Sequence, residues 1–400
     1  MIFTQTKDSM TDIKNPLKKK FGQFDTPLHI ASKLWELSAF KEGYFVDCGA
    51  GLGNLSSPLH HQPGLMIEWD IDRHKALEEK GFNTRHQNFL SEDLELDFLQ
   101  EKSDTIFLSN PPFHKESNIY NFKYFESLLD CTSKTQIDVA FLDRVASIAK
   151  QNDSLLFIMS SPFFESECFS SARKQIIEKY HSIKIISLPE RLFECADVQS
   201  YAFIATNQSE PKSTFELFKM DSNGSVIAQI KLNKDDASQN LNFNFQEQYE
   251  EIRGVLKQEY PTLKELGCEI VRGSLSKNQF MDLGIKNFIH TSNLNDASHL
   301  KGFIYPNQKI RTATQDDILI PRIGGRIIER AHLVKANQVY FTESVYRIRV
   351  PKDHADAIWT TLSSEFGQKW RKAHTQGKCA KFLTMDALYN MPIIPKFMKK

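Results

Sequence analysis

The chain has no long apolar run, no CxxC pair, no net charge and no phosphate-binding loop, and each absence removes a class of protein. Without a run of roughly 18 apolar residues there is no candidate membrane span. The opening "MIFTQTKDSMTDIKNPLKKK" is polar and lysine-rich and lacks the apolar segment of a secretory signal. Six cysteines, Cys48, Cys131, Cys168, Cys195, Cys268 and Cys379, lie far apart, and no histidines sit beside them at metal spacing. That pattern argues against a structural zinc and for reduced thiols in a cytoplasmic protein. The zero net charge hides an asymmetry. Residues 251–400 hold 24 Lys and Arg against 14 Asp and Glu, whereas residues 1–250 hold 26 against 36. A basic C-terminal module suits a polyanionic partner, with uneven surface charge as the plain alternative.

Two domains are expected from 400 residues. In the first half, apolar runs of strand length alternate with amphipathic stretches. Strands are expected at 43–48, 64–72, 104–110, 153–161, 183–189 and 200–206, and helices at 27–40, 74–80, 137–151 and 170–180. Such alternation predicts an α/β domain with a mainly parallel sheet and helices on both faces. "TFELFKMDSNGSVIAQIKL" reads as a hairpin around Asn223 and Gly224. The polar stretch 233–248 reads as a linker and 247–259 as a bridging helix. Beyond Thr262 come short β-like pieces and a helix at 357–374, which predict a separate α+β module. The expected division is a basic tail over 1–20, a first domain over 21–232, linker and bridge over 233–260, and a second domain over 261–400.

"VDCGAGLGNLS" places Gly49, Gly51 and Gly53 after the first strand, where a glycine turn lets a nucleotide-like ligand approach the backbone. The dinucleotide spacing G-x-G-x-x-G is not met, and no G-K-[ST] follows. Asp47, just before the glycines, would repel a pyrophosphate and suits a cationic or amine-bearing ligand. Glu68, ending the second strand, is placed to accept both hydroxyls of a ribose. Trp69 or Ile67 would flank an adenine, and Asn88 and Phe89 stand at a third strand edge. As an ordered set these residues resemble the S-adenosylmethionine-dependent methyltransferases. That resemblance implies a Rossmann-like domain, with Asp47 meeting the methionine ammonium, Glu68 the ribose and Asn88 the adenine amine.

"LSNPPFHKE" then places Asn110, Pro111, Pro112 and Phe113 at the end of a later strand. It resembles the [DNS]-PP-[YF] signature of amino-group methyltransferases. An exocyclic amine on adenine is a poor nucleophile because the ring delocalises its lone pair. Two acceptors gripping its N–H groups would turn the nitrogen toward tetrahedral geometry. The Asn110 side-chain oxygen and the Pro111 carbonyl are the candidates, because Pro112 holds Pro111 extended and supplies no N–H. Phe113 would stack on the base. An ordinary Asn-Pro-Pro turn is the alternative reading.

The whole resembles the N6-adenine-specific DNA methyltransferases of restriction–modification type, with cofactor motifs first, the catalytic motif next and target recognition last. "FGQFDTPLHIASKL" resembles the family's N-terminal motif, which implies that Phe24, Thr26 and Pro27 line the methionine half of the cofactor. Locally, Thr26 reads as a helix cap with Pro27 in the first turn. "LPERLFECADVQSYAFIAT" resembles a late motif that would set Phe193 against the flipped base, opposite Phe113; a core role for Phe193 competes. Asn88 departs from the family, which has Asp there. From Cys268 to Pro395 the chain resembles the target-recognition halves of type I restriction specificity subunits. Candidate DNA contacts are Arg272, Lys277, Asn278, Arg311, Arg322, Arg326, Arg330, Arg371, Lys372 and Lys378. The expected partner is double-stranded DNA. Only about twenty residues precede the first motif, so a nuclease is expected on a separate chain, and the protein itself as a monomer or weak dimer. Two alternatives stay open: a DNA-binding specificity subunit without methylation activity, and an RNA amino-methyltransferase.

Overall fold

Strands buried on both faces set the architecture. The computed structural model describes residues 24–40, 42–102, 104–117, 120–128, 134–190, 192–193, 199–206, 214–256, 259–294, 310–325, 327–376 and 381–394. The chain divides into two units, Met1–Phe243 and Asn244–Lys400. Among the described residues no helix is long and apolar enough to cross a membrane.

The main-sheet strands of the first unit are β1 (Tyr44–Cys48), β2 (Gly64–Glu68), β3 (Thr84–His86), β4 (Thr105–Ser109), β5 (Ser154–Ser160), β6 (Ser182–Ser187), β7 (Ser200–Thr206), β8 (Thr214–Met220) and β9 (Val226–Leu232). They form one sheet in the order β9-β8-β6-β7-β5-β4-β1-β2-β3. From β5 to β3 every pairing is parallel, while β7 runs antiparallel to both β5 and β6. Every residue of β5 is buried, as expected of a strand covered on both sides.

The period of two then sorts the core into halves. Val46, Ile67, Phe107 and Phe157 face one side, where helices α3 (Ile137–Ile148) and α4 (Ser170–Lys179) pack. Phe45, Met66, Ile106 and Leu156 face the other, covered by Ile30 and Leu34 of α1 (Leu28–Ser38) and Leu77 of α2 (Ile71–Glu79). This is the expected doubly wound, Rossmann-like α/β fold. Strand order reverses direction between β1 and β4, so the carboxyl ends of β4, β1 and β2 form the crevice where such sheets bind ligands.

Two local expectations are corrected. Residues 233–243 do not form a linker. Asn233 caps a helix at Lys234–Gln239 (α5), and Ala237, Leu241 and Phe243 are buried in the first unit's core. The helix expected over 247–259 also starts earlier, at Phe243, and ends at Arg253 (α6). Thr26 is not a helix cap: Pro27 holds that place, and its carbonyl accepts from the N–H groups of Ile30 and Ala31.

The second unit is α+β. Strands β10 (Glu269–Arg272), β13 (Ile318–Pro321), β14 (His332–Leu333) and β16 (Val345–Arg349) pair antiparallel in the order β10-β16-β13-β14. A smaller sheet joins β11 (Phe288–Ile289), β15 (Gln338–Phe341) and β12 (Thr312–Thr314). Ile270, Ile320 and Ile348 meet Ile358 and Leu362 of α7 (Ala355–Ser363) and Phe366 and Trp370 of α8 (Glu365–Ala373) in one core.

Arg371 lies in that core, and its expected role as a DNA contact is corrected. Its side chain is fully buried, and its guanidinium donates to the carbonyls of Ile328 (3.0 Å), Leu362 (2.8 Å) and Glu329. Burial lowers its pKa to about 10, so it stays cationic at neutral pH. It ties α8 to the segment after β13. Arg371→Ala should destabilise the second unit by about 3 kcal/mol or more, because two buried carbonyls and a third, partly buried one lose their donor. Denaturant unfolding followed by Trp fluorescence measures this; a loss below about 1 kcal/mol would contradict the assignment.

Candidate active site

Parallel register brings the candidate residues to one edge. Asp47 pairs across with Leu108 on one side and Met66 on the other, so Gly49, Glu68 and Asn110 end three adjacent strands. They line a cleft of about 1280 Å3, together with Phe24, Thr26, Gly51, Trp69, Asn88, Phe89 and Pro112. That exceeds the roughly 300–1,000 Å3 usual for one small ligand.

The glycine turn needs its glycines. Gly49 has φ +117° and Gly51 φ +59°, a region that side-chain-bearing residues seldom enter. A Cβ on Gly51 would also stand 2.9 Å from Arg73 Nη1 and 3.2 Å from Asp25 Oδ1. Glu68 organises this turn: one carboxylate oxygen accepts from Gly51 N (2.7 Å) and the other from Asp70 N (2.8 Å). Each oxygen keeps a second lone pair for a ligand hydroxyl. Burial raises the Glu68 pKa, and the two N–H donors oppose that rise.

Asp47 is 1% exposed. Oδ2 accepts from the Ser56 hydroxyl, whereas Oδ1 has no partner among the described residues. Burial pushes its pKa up to about 7, with Ser56 lowering it and the nearby Glu68 charge raising it further. A buried carboxylate oxygen without a donor, lining a cleft, fits an ammonium group from a ligand. Trp69 is 65% exposed at the same edge, an open ring face beside the cleft. Ile67, by contrast, is wholly buried. Asn88 Oδ1 already accepts from Leu90 N (3.0 Å), and the Phe89 ring is buried against Phe141.

The Asn-Pro-Pro turn follows β4 as expected. Asn110 Nδ2 donates to the Phe24 carbonyl (2.7 Å) and to Thr26 Oγ1 (3.1 Å). A carbonyl can only accept, so this contact fixes which way the amide points. Asn110 Oδ1 and the Pro111 carbonyl accept no hydrogen bond among the described residues. The half-buried Phe113 ring lies 6.2 Å from Phe24 in a stacked arrangement and 5.9 Å from Phe193, edge to face.

Phe193 is 5% exposed and packed on Phe24 and Phe113 within the core, which favours the competing core role over an open stacking face. Sequence reading also missed Asp25, Asn54, Ser56 and Arg73, although Asp25 lies inside "FGQFDTP" and Asn54 and Ser56 inside the glycine-rich stretch. Arg73 carried no signal, standing in an amphipathic helix.

Among the candidate DNA contacts of the second unit, Arg272, Arg311 and Arg322 come together. Arg272 pairs with Glu343, Arg322 Nε donates to the Glu343 carbonyl (3.0 Å), and Arg311 Nη1 donates to the Arg272 carbonyl (2.5 Å). Lys277 and Asn278 are exposed on a short helix capped by Ser276. Arg330 is half-buried and Lys372 is exposed, 3.4 Å from Glu329. Arg326 and Lys378 lie outside the described residues, as do the N-terminal tail and most of the loop after Phe193.

The sheet order is that of an open, doubly wound Rossmann-like α/β fold, with the cleft at its switch point. Residues 59–193 match the model of the Eco57I restriction-modification methylase family. No curated protein matches the chain. Solved structures share its fold at low identity. The protein in a structure of a DrdV–DNA complex is 11% identical with a TM-score of 0.55, covering 95% of this chain and 56% of that one. A nuclease-deletion mutant of the Type ISP restriction-modification enzyme LlaGI, in complex with a DNA substrate mimic, is 12% identical with a TM-score of 0.53, covering 95% and 53%. The Type IIL restriction-modification enzyme MmeI, in complex with DNA, is 12% identical with a TM-score of 0.50, covering 91% and 64%. The chain thus spans less than two thirds of the length of these solved chains.

The Asp47 geometry carries a prediction with a defined sign. Its folded-state pKa lies above the ordinary 3.8, so the ligand-free fold loses stability as pH rises from about 4 to 7. Asp47→Asn should therefore melt higher than the wild type at pH 8, with the difference vanishing near pH 4. The same variant should bind S-adenosylmethionine at least tenfold more weakly at pH 8. Wild-type affinity should fall below pH 7 as the carboxylate protonates. Melting curves and calorimetric titrations across pH measure both; a variant that melts lower at pH 8 and binds normally would remove Asp47 from the site.

Proposed function

We propose that this chain is a site-specific DNA methyltransferase that moves a methyl group from S-adenosylmethionine to the N6 amine of an adenine turned out of duplex DNA. The observation that carries this reading is the Asn110 amide, whose nitrogen is held by the Phe24 carbonyl and whose oxygen is left to accept.

When bound, the cofactor supplies an electrophilic methyl on a sulfonium. Asp47 Oδ1 would take the methionine ammonium, Glu68 the ribose hydroxyls, and Trp69 or Phe89 with Asn88 the adenine. Phe24, Thr26 and Pro27 would border the methionine half. The chain's own chemistry lies at the turn. Asn110 Oδ1 and the Pro111 carbonyl accept the two N–H groups of the target amine, localise its lone pair, and stabilise positive charge growing on nitrogen. This is the logic of an oxyanion hole with reversed polarity, in which losing one preorganised partner typically costs about 3 kcal/mol. Phe113 offers a stacking face to the base once its contact with Phe24 is released. Extruding the nucleotide needs a grip on the duplex, which suits the basic second unit. There Arg272, Arg311, Lys277 and Asn278 are the favoured contacts, with Arg322, Arg326, Arg330, Lys372 and Lys378 as further candidates.

Asn110→Ala should lower methyl transfer at saturating cofactor at least a hundredfold, with cofactor affinity within a few-fold of wild type. Tritium transfer to DNA and calorimetry measure the pair, and a parallel collapse of cofactor binding would refute the assignment. Expression in a methylation-free host, followed by modification-sensitive sequencing, should show N6-methyladenine in one sequence motif; methylcytosine, or no mark, would overturn the reading. Lys277→Ala and Arg311→Ala should each weaken DNA binding and flatten its log–log salt dependence by about one unit. An unchanged salt slope would place the contact surface elsewhere.

A further inference from the structure

We propose that Arg73 and Asp25 form a latch that holds the N-terminal segment on the glycine turn and thereby sets the catalytic amide, acting as positioning residues for transfer. This rests on the methyltransferase reading above and adds to it residues that touch neither motif's reacting atoms. Arg73 lies in the first turn of α2, and its guanidinium grips Asp25 with both arms, Nη1 to Oδ1 at 2.8 Å and Nη2 to Oδ2 at 3.2 Å. The side chains are 11% and 26% exposed, so water screens the pair little. A bidentate guanidinium–carboxylate contact fixes direction as well as distance.

The residues on either side of Asp25 make the contacts that orient the site. The Phe24 carbonyl and Thr26 Oγ1 accept from Asn110 Nδ2, and the Thr26 carbonyl accepts from Asn54 Nδ2 at 3.0 Å. At the other end, Asp70 Oδ1 accepts from the Arg73 backbone N–H, Glu68 Oε1 accepts from Asp70 N, and Glu68 Oε2 from Gly51 N. A continuous run of polar contacts thus joins the ribose candidate Glu68 to the catalytic candidate Asn110 by way of Arg73 and Asp25. The pair rests beside Gly51, where a Cβ would stand 2.9 Å from Arg73 Nη1 and 3.2 Å from Asp25 Oδ1. The segment that borders the cleft is thus also the one that turns the amide.

The test uses the full chain with Arg73→Ala, Asp25→Ala, the double variant, the conservative Arg73→Lys, and the exchange Asp25→Arg with Arg73→Asp. Affinity for S-adenosylmethionine is read by calorimetry, single-turnover transfer to DNA at saturating cofactor by tritium, and folding by melting temperature. Each alanine variant should weaken the cofactor about tenfold and slow saturated transfer by at least tenfold, and the double should lose no more than either single. Arg73→Lys should fall between, keeping charge without the fork, and serves as the readout if Arg73→Ala does not fold. The exchanged pair should recover most of the loss. Singles within twofold of wild type in both measurements, or losses that add in the double and are not recovered by exchange, would overturn the latch. A wild type that binds no cofactor would instead overturn the methyltransferase reading.

Discussion

One hydrogen bond organises the site: Asn110 Nδ2 to the carbonyl of Phe24. An amide side chain has a donor end and an acceptor end, and a neighbour able to play either part would leave the choice open. A main-chain carbonyl does not. With the nitrogen committed, the Asn110 oxygen and the adjacent Pro111 carbonyl are left without a donor among the described residues, and the proposed reaction would use them as its acceptor pair. The remaining features of the cleft can be read as means of putting these two oxygens beside a cationic cofactor.

The sheet does this through register. Asp47, Glu68 and Asn110 come from strands separated in sequence but adjacent in the order β4-β1-β2. The site is also electrostatically unbalanced without a ligand: Asp47 and Glu68 are both buried carboxylates, and each perturbs the other or its neighbours upward in pKa. On the proposed function an ammonium bound there would relieve part of that cost, so stability given up locally would be recovered on binding.

Much of this was legible in the sequence, for identifiable reasons. Fully buried strands such as Ser154–Ser160 and glycine turns such as Gly49–Gly53 carry strong local signals, and the two prolines after Asn110 mark a strand end wherever they occur. The errors fell where long-range contact overrides local chemistry. Residues 233–243 look like a polar linker, yet Leu241 and Phe243 find a core to enter. Arg371 looks like a surface cation on a basic helix, but three carbonyls receive it inside. For Phe193 the sequence left a stacking and a core role open, and the ring is packed against two others. Arg73 could not be singled out at all, because its meaning lies in Asp25, 48 positions away. Residue types announce chemistry; pairing across the sheet edge decides which of them performs it.

The most direct measurement is a structure of the protein with duplex DNA and a non-reactive cofactor analogue. The account predicts an adenine outside the stack, its N6 within hydrogen-bonding distance, about 3 Å, of both Asn110 Oδ1 and the Pro111 carbonyl, with Asn110 Nδ2 still on Phe24. An adenine amine bound by other groups, or an Asn110 amide turned with its nitrogen toward the base, would contradict it.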